Sequence, residues 1–258
     1  MIKFITELAV DTGKIIRDAY NKAETDIKYK GEIDIVTKTD ILCEEHIIIA
    51  IRKQFPDDEI LSEEREPVNE GARRKWIIDP LDGTTNFSHR YPFCAISIGL
   101  EIDGQLCFGV VYNPILNELF HAEKGKGAYL NNKKITVSNT KLISNSLIET
   151  GFPYDRWEKG KFYMKEYLAF TMRCQGVGRA GAAAVDLCYV ACGRLDGFFE
   201  RKLKPWDMAA GSLVVAEARG QLTQFNSKPW HYSSNTIVAS NQNIHDKMIL
   251  ILETAHQD

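Results

Sequence analysis

The sequence has 258 residues, 44% of them hydrophobic, enough for a sizeable core in one large domain or two coupled halves. Its net charge is −3, without a basic stripe, which gives no reason to expect nucleic acid as a partner. Glu7 and Asp11 interrupt the apolar N-terminus before it could act as a signal peptide, and no apolar run approaches the roughly 20 residues that span a bilayer, so a cytoplasmic protein without a membrane partner is expected.

Ile5, Leu8, Ala9, Thr12, Ile15, Ile16 and Ala19 recur at helical spacing and predict an amphipathic helix over 2–22. Residues 24–36 read as irregular, with Lys28, Lys30 and Gly31 ahead of Asp34-Ile35-Val36-Thr37. A second helix is expected from a cap near Thr39 or Asp40 to about residue 54, with Leu42, His46, Ile47, Ile49 and Ala50 on its apolar side. A short strand over 59–61 leads into Ser62-Glu63-Glu64 and then a polar loop over 65–75.

The stretch Trp76-Ile77-Ile78-Asp79-Pro80-Leu81-Asp82-Gly83-Thr84-Thr85-Asn86-Phe87 comes next. Its apolar start reads as the buried end of a strand. Pro80 biases Asp79 towards an extended backbone, so the strand is expected to stop there. Asp82 reads as the N-cap of a short helix whose first turn is Gly83-Thr84-Thr85. A first turn offers free backbone N–H groups to an anion such as phosphate. Two carboxylates so close after a buried strand repel each other unless a cation or a proton intervenes.

Strands over 93–101 and 106–112 are expected to pair through a turn at 102–105. Further hairpin strands fall near 118–122, 127–130 and 135–137. Lys124-Gly125-Lys126-Gly127 lacks the spacing of a phosphate loop and reads as a hairpin turn. A polar segment at 138–146 divides the chain into halves, 1–140 and 141–258. The second half alternates between a strand at 146–150, a helix at 159–171, a helix that ends near 193, a strand at 196–200, a helix at 205–218, a strand at 236–239 and a helix at 245–254. This alternation predicts a layered α/β protein. Cys43, Cys94, Cys107, Cys174, Cys188 and Cys192 form no CxxC pair and are expected to be free thiols.

A second acidic point opens the helix at 205. Pro205 and Asp207 suit a first helical turn, and the small Ala209, Ala210 and Gly211 let another backbone approach. Asp207 could then face the first acidic turn.

These motifs resemble those of the inositol monophosphatase family. The 76–87 stretch is similar to its first signature and Trp206-Asp207-Met208-Ala209-Ala210-Gly211 to its second. Ser62-Glu63-Glu64 and Asp34-Ile35-Val36-Thr37-Lys38-Thr39-Asp40 resemble the two motifs that precede them, in order along essentially the whole chain. The resemblance implies an αβαβα sandwich and a lithium-sensitive, commonly dimeric phosphomonoesterase with two or three Mg²⁺ per site. It places Glu63, Asp79 and the Leu81 carbonyl on one ion, and Asp79, Asp82 and Asp207 on another. Mg²⁺ prefers oxygen donors of this kind and keeps several waters.

By the same resemblance Glu63 and Thr84 orient and deprotonate the attacking water, and Asp40 supports Thr84 by a hydrogen bond. The N–H groups of Gly83 and Thr84 hold the phosphate beside Asp82 and Asp207. Gly181, Ala182, Ala183 and Glu200 line the polyol end, and a carboxylate at Glu200 can accept two hydroxyl hydrogen bonds. Ala182 lacks a hydroxyl that relatives often carry, and Arg219 stands where the second signature usually has Gly. Lys30 resembles the basic residue of a mobile active-site loop.

The leading expectation is hydrolysis of inositol monophosphate. Alternatives keep the mechanism and change the substrate to fructose 1,6-bisphosphate, NADP(H), a 3′-phosphoadenosine phosphate or histidinol phosphate. Glu200 disfavours a second phosphate close to it. A regulatory interaction protein is the reading from another class.

Overall fold

The computed structural model describes residues 1–22 and 26–257. In chain order the elements are α1 (Ile2–Lys22), β1 (Ile27–Tyr29), β2 (Ile35–Thr37), α2 (Lys38–Gln54), β3 (Glu59–Ser62), β4 (Arg74–Asp82), α3 (Thr84–Ser88), β5 (Ala95–Ile102), β6 (Gln105–Asn113), β7 (Glu118–Glu123), β8 (Gly127–Leu130) and β9 (Lys133–Ile135). They continue with β10 (Leu147–Thr150), α4 (Arg156–Thr171), β11 (Gly176–Gly178), α5 (Ala183–Ala191), β12 (Gly197–Arg201), α6 (Pro205–Glu217), β13 (Gln221–Thr223), β14 (Thr236–Ser240) and α7 (His245–Thr254). No helix among the described residues is long and apolar enough to cross a membrane.

These elements stack in five layers. Helices α1 and α2 cover one face of a seven-stranded sheet, ordered β3-β4-β5-β6-β7-β8-β9. Helices α5 and α6 form the central layer. Below them lies a five-stranded sheet, ordered β11-β10-β12-β14-β13, and α4 and α7 cover its far face. This is the expected αβαβα sandwich.

Small residues bring the central layer close. A Cβ on Gly99 would lie 3.1 Å from Ala209 Cβ, and one on Gly109 would lie 2.6 Å from the Ala210 carbonyl. Ala209 and Ala210 therefore meet bare backbone on β5 and β6, so α6 rests directly on the first sheet, while Gly211 faces Leu187 and Ala184 of α5. Ser97 fixes its start by donating to the Trp206 carbonyl at 3.1 Å.

Several sequence expectations are corrected. β4 does not stop at Asp79. It passes through Pro80 to Asp82, with a bulge between Asp79 and Asp82, because pairing with β5 resumes at Asp82 opposite Ala95. A proline fits there because its missing N–H falls within the break in register. α2 is capped by Thr37, and Asp40 is the third helical residue, so the two share a reciprocal capping box. The buried side of α2 is Cys43, Ile47, Ile48 and Ile51, whereas Leu42, His46 and Ile49 face out. The segment read as irregular holds a short hairpin, β1 with β2, and its residues 24 and 25 lie outside the described ones. The turn at Gly125–Gly127 is a hairpin turn, as expected, and its N–H groups are already engaged by the Glu217 carboxylate. The six cysteines are free.

Candidate active site

Strand pairing assembles the floor of the site. β3 and β4 run parallel, with Ser62 opposite Ile78, so Glu63 and Asp79 emerge side by side from one sheet edge. Glu63 N–H donates to the Ile78 carbonyl at 3.3 Å. The bulge then turns the chain, and Leu81 N–H donates to Asp79 Oδ1 at 2.9 Å. Gly83 sits at φ +85°, and a Cβ there would come within 2.9 Å of the Phe93 carbonyl and 3.1 Å of Ala182 Cβ. Only glycine combines that φ with that approach.

Asp82 does not cap α3. Its Oδ2 accepts the Ala184 N–H at 2.8 Å, in the first turn of α5, where Ala182 provides no side-chain cap. The cap of α3 is Gly83, with no side-chain hydrogen bond. The expected acidic cap is real but serves another helix.

Thr84 carries its hydroxyl 2.8 Å from Asp40 Oδ1 and 3.0 Å from the Leu81 carbonyl. Asp40 lies fully buried beneath it and also accepts from the N–H and hydroxyl of Thr37. Burial pushes the Asp40 carboxyl above its ordinary value, and the hydrogen bonds from Thr37 and Thr84 oppose that shift.

α6 delivers Asp207 from the opposite layer, its Oδ2 accepting the Lys204 N–H at 2.7 Å. β12 delivers Glu200, packed against Gly151 so tightly that a Cβ there would come within 2.3 Å of both carboxylate oxygens. One cleft of about 150 Å³ joins Glu63, Asp79, Leu81, Asp82, Gly83 and Thr84 to Gly181, Ala183, Glu200 and Asp207. Two expected site residues do not line it: Asp40 lies behind Thr84, and Ala182 is buried behind Gly83.

Burial pushes the carboxyls of Glu63, Asp79, Asp82 and Asp207 up, and their mutual repulsion adds to the shift. One ammonium meets this cluster directly. Lys30, from the turn between β1 and β2, lies 3.1 Å from Glu63 Oε1 and 2.5 Å from Glu64 Oε1. Burial opposes its charge, but the two glutamates prevail and hold it above the usual lysine range. The donor set is all oxygen, carries more negative charge than its surroundings offset, and matches what a hard divalent cation needs. Among the described residues no three acid, histidine or cysteine side chains close on a single point as a cage. An open set of carboxylates and a carbonyl is the kind that leaves room for waters and a substrate oxygen on such an ion.

The sequence reading missed residues that hold this set in place. Glu44 is fully buried on α2 and accepts from the Ser62 hydroxyl, the Glu64 N–H at 3.1 Å and Arg65 Nε at 2.9 Å, so it fixes the turn that carries Glu63. Its place four residues after Asp40, on the same helix face, was the available signal. Asn86 Nδ2 donates to the Phe93 carbonyl at 2.8 Å and the Ala180 carbonyl at 2.9 Å, tying the first acidic turn to the Gly181 segment. Tyr154, Arg156 and Arg179 also line the cleft. A larger hollow of about 750 Å³ opens across the 201–204 segment, but Lys159, Lys202 and Arg201 on its wall are already paired with Asp155 and Glu166. The uncompensated charge is in the smaller cleft.

With the cleft described, the likeness to known proteins has a structural counterpart. The family model for the inositol monophosphatase family matches residues 1–257. The chain belongs to the inositol monophosphatase family. It is 42% identical to an inositol-1-monophosphatase from Synechocystis over 99% of this chain and 90% of that protein. It is 39% identical to the Nus factor SuhB of Escherichia coli K12 over 96% of this chain and 94% of that one. Among solved structures, the extragenic suppressor protein suhB of Bartonella henselae superposes with a TM-score of 0.93 at 37% identity, over 97% of each chain. Membership makes this family member a phosphatase, and the acidic cleft lies where its motifs meet.

Proposed function

We propose that the chain is a Mg²⁺-dependent phosphomonoesterase that hydrolyses inositol monophosphate to inositol and inorganic phosphate. The observation that carries this reading is the meeting of Glu63, Asp79, Asp82 and Asp207, from β4, α6 and the turn after β3, in one cleft with the Gly83–Thr84 turn. Residues 1–140 supply most of that set, and residues 141–258 complete it with Asp207 and Glu200.

In this reading Glu63, Asp79 and the Leu81 carbonyl hold one Mg²⁺, and Asp79, Asp82 and Asp207 hold a second, with room beside Glu63 for a third. Bound there, Mg²⁺ supplies Lewis acidity towards water and phosphate. Lys30 leaves Glu63 when that charge is met by the ion. Thr84 donates its hydroxyl proton to Asp40 Oδ1, which leaves its oxygen lone pairs free to orient the attacking water. Glu63 takes the proton from that water. The N–H groups of Gly83 and Thr84 hold the phosphate oxygens. Glu200 accepts hydrogen bonds from hydroxyls of the leaving polyol, and Gly181, Ala182 and Ala183 shape that end. Lithium sensitivity, a homodimer and a cytoplasmic location belong to the same proposal.

Phosphate release from inositol 1-phosphate, measured with Mg²⁺, with chelator, and with Asp207→Asn, tests it. Release should require Mg²⁺ and fall by about 100-fold or more in the variant. Mg²⁺ should also stabilise the unmodified protein by about 2.7 kcal/mol at one hundred times the dissociation constant, read as a higher melting temperature. Release that is indifferent to chelator would sink the reading.

A second reading has its own support. A relative similar over nearly the whole chain is named Nus factor SuhB, so the same fold is also proposed as an interaction module. A cellular phenotype that survives Asp207→Asn while hydrolysis is lost would favour it.

A further inference from the structure

A hollow of about 270 Å³ opens at the β3 edge of the seven-stranded sheet, away from the acidic cleft. The chain after β3 returns along that edge, where Ile60 and Val68 exchange backbone hydrogen bonds at 3.0 and 3.1 Å. α2 forms the other wall, with Ile48, Ile49 and Arg52 facing the hollow at one-turn spacing. Ile48 and Ile60 are buried and make an aliphatic floor, and Val68 is partly covered. Ile49 stands 61% exposed over that floor, a large aliphatic side chain that nothing else in the protein covers. No aromatic ring lines the hollow.

Two guanidinium groups border this aliphatic surface, Arg52 and Arg65. Arg65 Nε donates to Glu44 Oε2 at 2.9 Å, and Glu44 is fully buried and fixed by Ser62 and the Glu64 N–H. That contact aligns the guanidinium in advance and leaves both terminal nitrogens without a partner among the described residues. The Arg52 side chain, exposed at the rim, makes neither an ion pair nor a hydrogen bond there. An arginine fork matches a planar carboxylate. Glu66 at the rim and Glu44 behind offset part of the positive charge, which favours a monoanion over a phosphate dianion. The volume lies below the roughly 300 Å³ at which drug-sized ligands begin to fit, so the occupant is small.

We propose that this hollow is a binding site for a short straight-chain carboxylate, its chain on the isoleucine floor and its carboxylate held by Arg52 and Arg65. The site is separate from the acidic cleft, and its occupancy is read as binding, so it stands or falls apart from phosphate release.

Calorimetric titration of the full chain, in Mg²⁺, with octanoate tests it. Octanoate should bind saturably, at about one per chain, with a dissociation constant of about 0.1–1 mM. Hexanoate and butyrate should bind more weakly by about 2- to 4-fold for each methylene removed, and octanol, which keeps the chain and loses the charge, by about 10-fold. Arg52→Gln should weaken octanoate by about 10-fold, and Ile49→Asn should flatten the dependence on chain length. Both side chains are exposed, and circular dichroism checks that the variants fold. Absence of saturable binding, equal affinity for octanol, or octanoate affinity unchanged in folded Arg52→Gln overturns the site; the last result would place the carboxylate elsewhere, on the metal cleft included. A change of sedimentation in Ile49→Asn would show that a second copy of the chain covers this face, and it too overturns the proposal.

Discussion

Asp82 accepts a hydrogen bond from the backbone N–H of Ala184 at 2.8 Å, across 102 positions of sequence. One carboxylate thereby faces the acidic cluster and also anchors the first turn of α5, where the helix dipole favours negative charge. Asp82→Asn keeps an oxygen for Ala184 but removes one of four mutually repelling charges. Phosphate release should fall by about 100-fold or more. The metal-free variant should melt no lower than the parent, because a buried charge has been removed while the hydrogen bond stays. A metal-free melting temperature several degrees lower would show that the charge on Asp82, rather than its hydrogen bond, holds α5.

Gly151 sets the position of Glu200. A methyl at 151 would occupy space within 2.3 Å of both carboxylate oxygens, so Gly151→Ala must push the carboxylate aside. The variant should raise KM for inositol 1-phosphate by about 3- to 30-fold, the weight of one or two hydroxyl hydrogen bonds, with a smaller change in kcat. An unchanged KM would remove Glu200 from substrate binding.

Much of this site is legible in the chain because its donors sit in short local motifs. Asp79, Asp82, Gly83 and Thr84 belong to one turn, and Asp207 belongs to a helix start whose small residues announce close packing. The parallel pairing of β3 with β4 that sets Glu63 beside Asp79 follows from strand ends that share a sheet edge. Other features depend on tertiary contact and leave no local trace. Asp82 looks like a cap for the next helix, yet the bulge in β4 directs it to α5. Ile49 fits an apolar helix side by type but is 61% exposed, since α2 turns Ile47, Ile48 and Ile51 to the sheet instead. Glu44 offers only its spacing from Asp40 as a signal, and its role comes from three donors, all from residues 62–65, that the fold brings to it.

Arg219 occupies a backbone position made for glycine. It follows the end of α6 at φ +68°, exposed, with its N–H bonded to the Ala216 carbonyl at 3.1 Å. A side chain in the left-handed region costs about 1–2 kcal/mol, and glycine escapes that cost at a C-terminal cap while giving some back in unfolded-chain entropy. Arg219→Gly should therefore stabilise the protein by about 0.5–1 kcal/mol without altering phosphate release. Urea unfolding reads the difference, and equal or lower stability would show that the arginine side chain contributes more than its backbone costs.

His245 makes the fold sensitive to acid at a point remote from the metal ligands. It is buried at the start of α7, with Nε2 2.9 Å from the Thr223 hydroxyl and Nδ1 2.8 Å from the Ser240 hydroxyl. Burial pushes the imidazole down to about 4, and the neighbouring Asp246 only partly opposes this. The unfolded chain binds a proton at this residue near pH 6.5, and the folded chain refuses it until about pH 4. The contribution is therefore fully present above pH 6.5 and is lost as pH falls towards 4, by about 1.4 kcal/mol per pH unit within that window. His245→Gln should be less stable than the parent at pH 7, because glutamine cannot satisfy both hydroxyls in the imidazole's geometry. The gap should narrow by about 2 kcal/mol on going to pH 5, since only the parent carries this titration. Urea unfolding of both proteins at the two pH values isolates the histidine from the buried carboxylates, which the two proteins share. A gap that stays constant between pH 7 and pH 5 would mean that His245 accepts its proton within the fold.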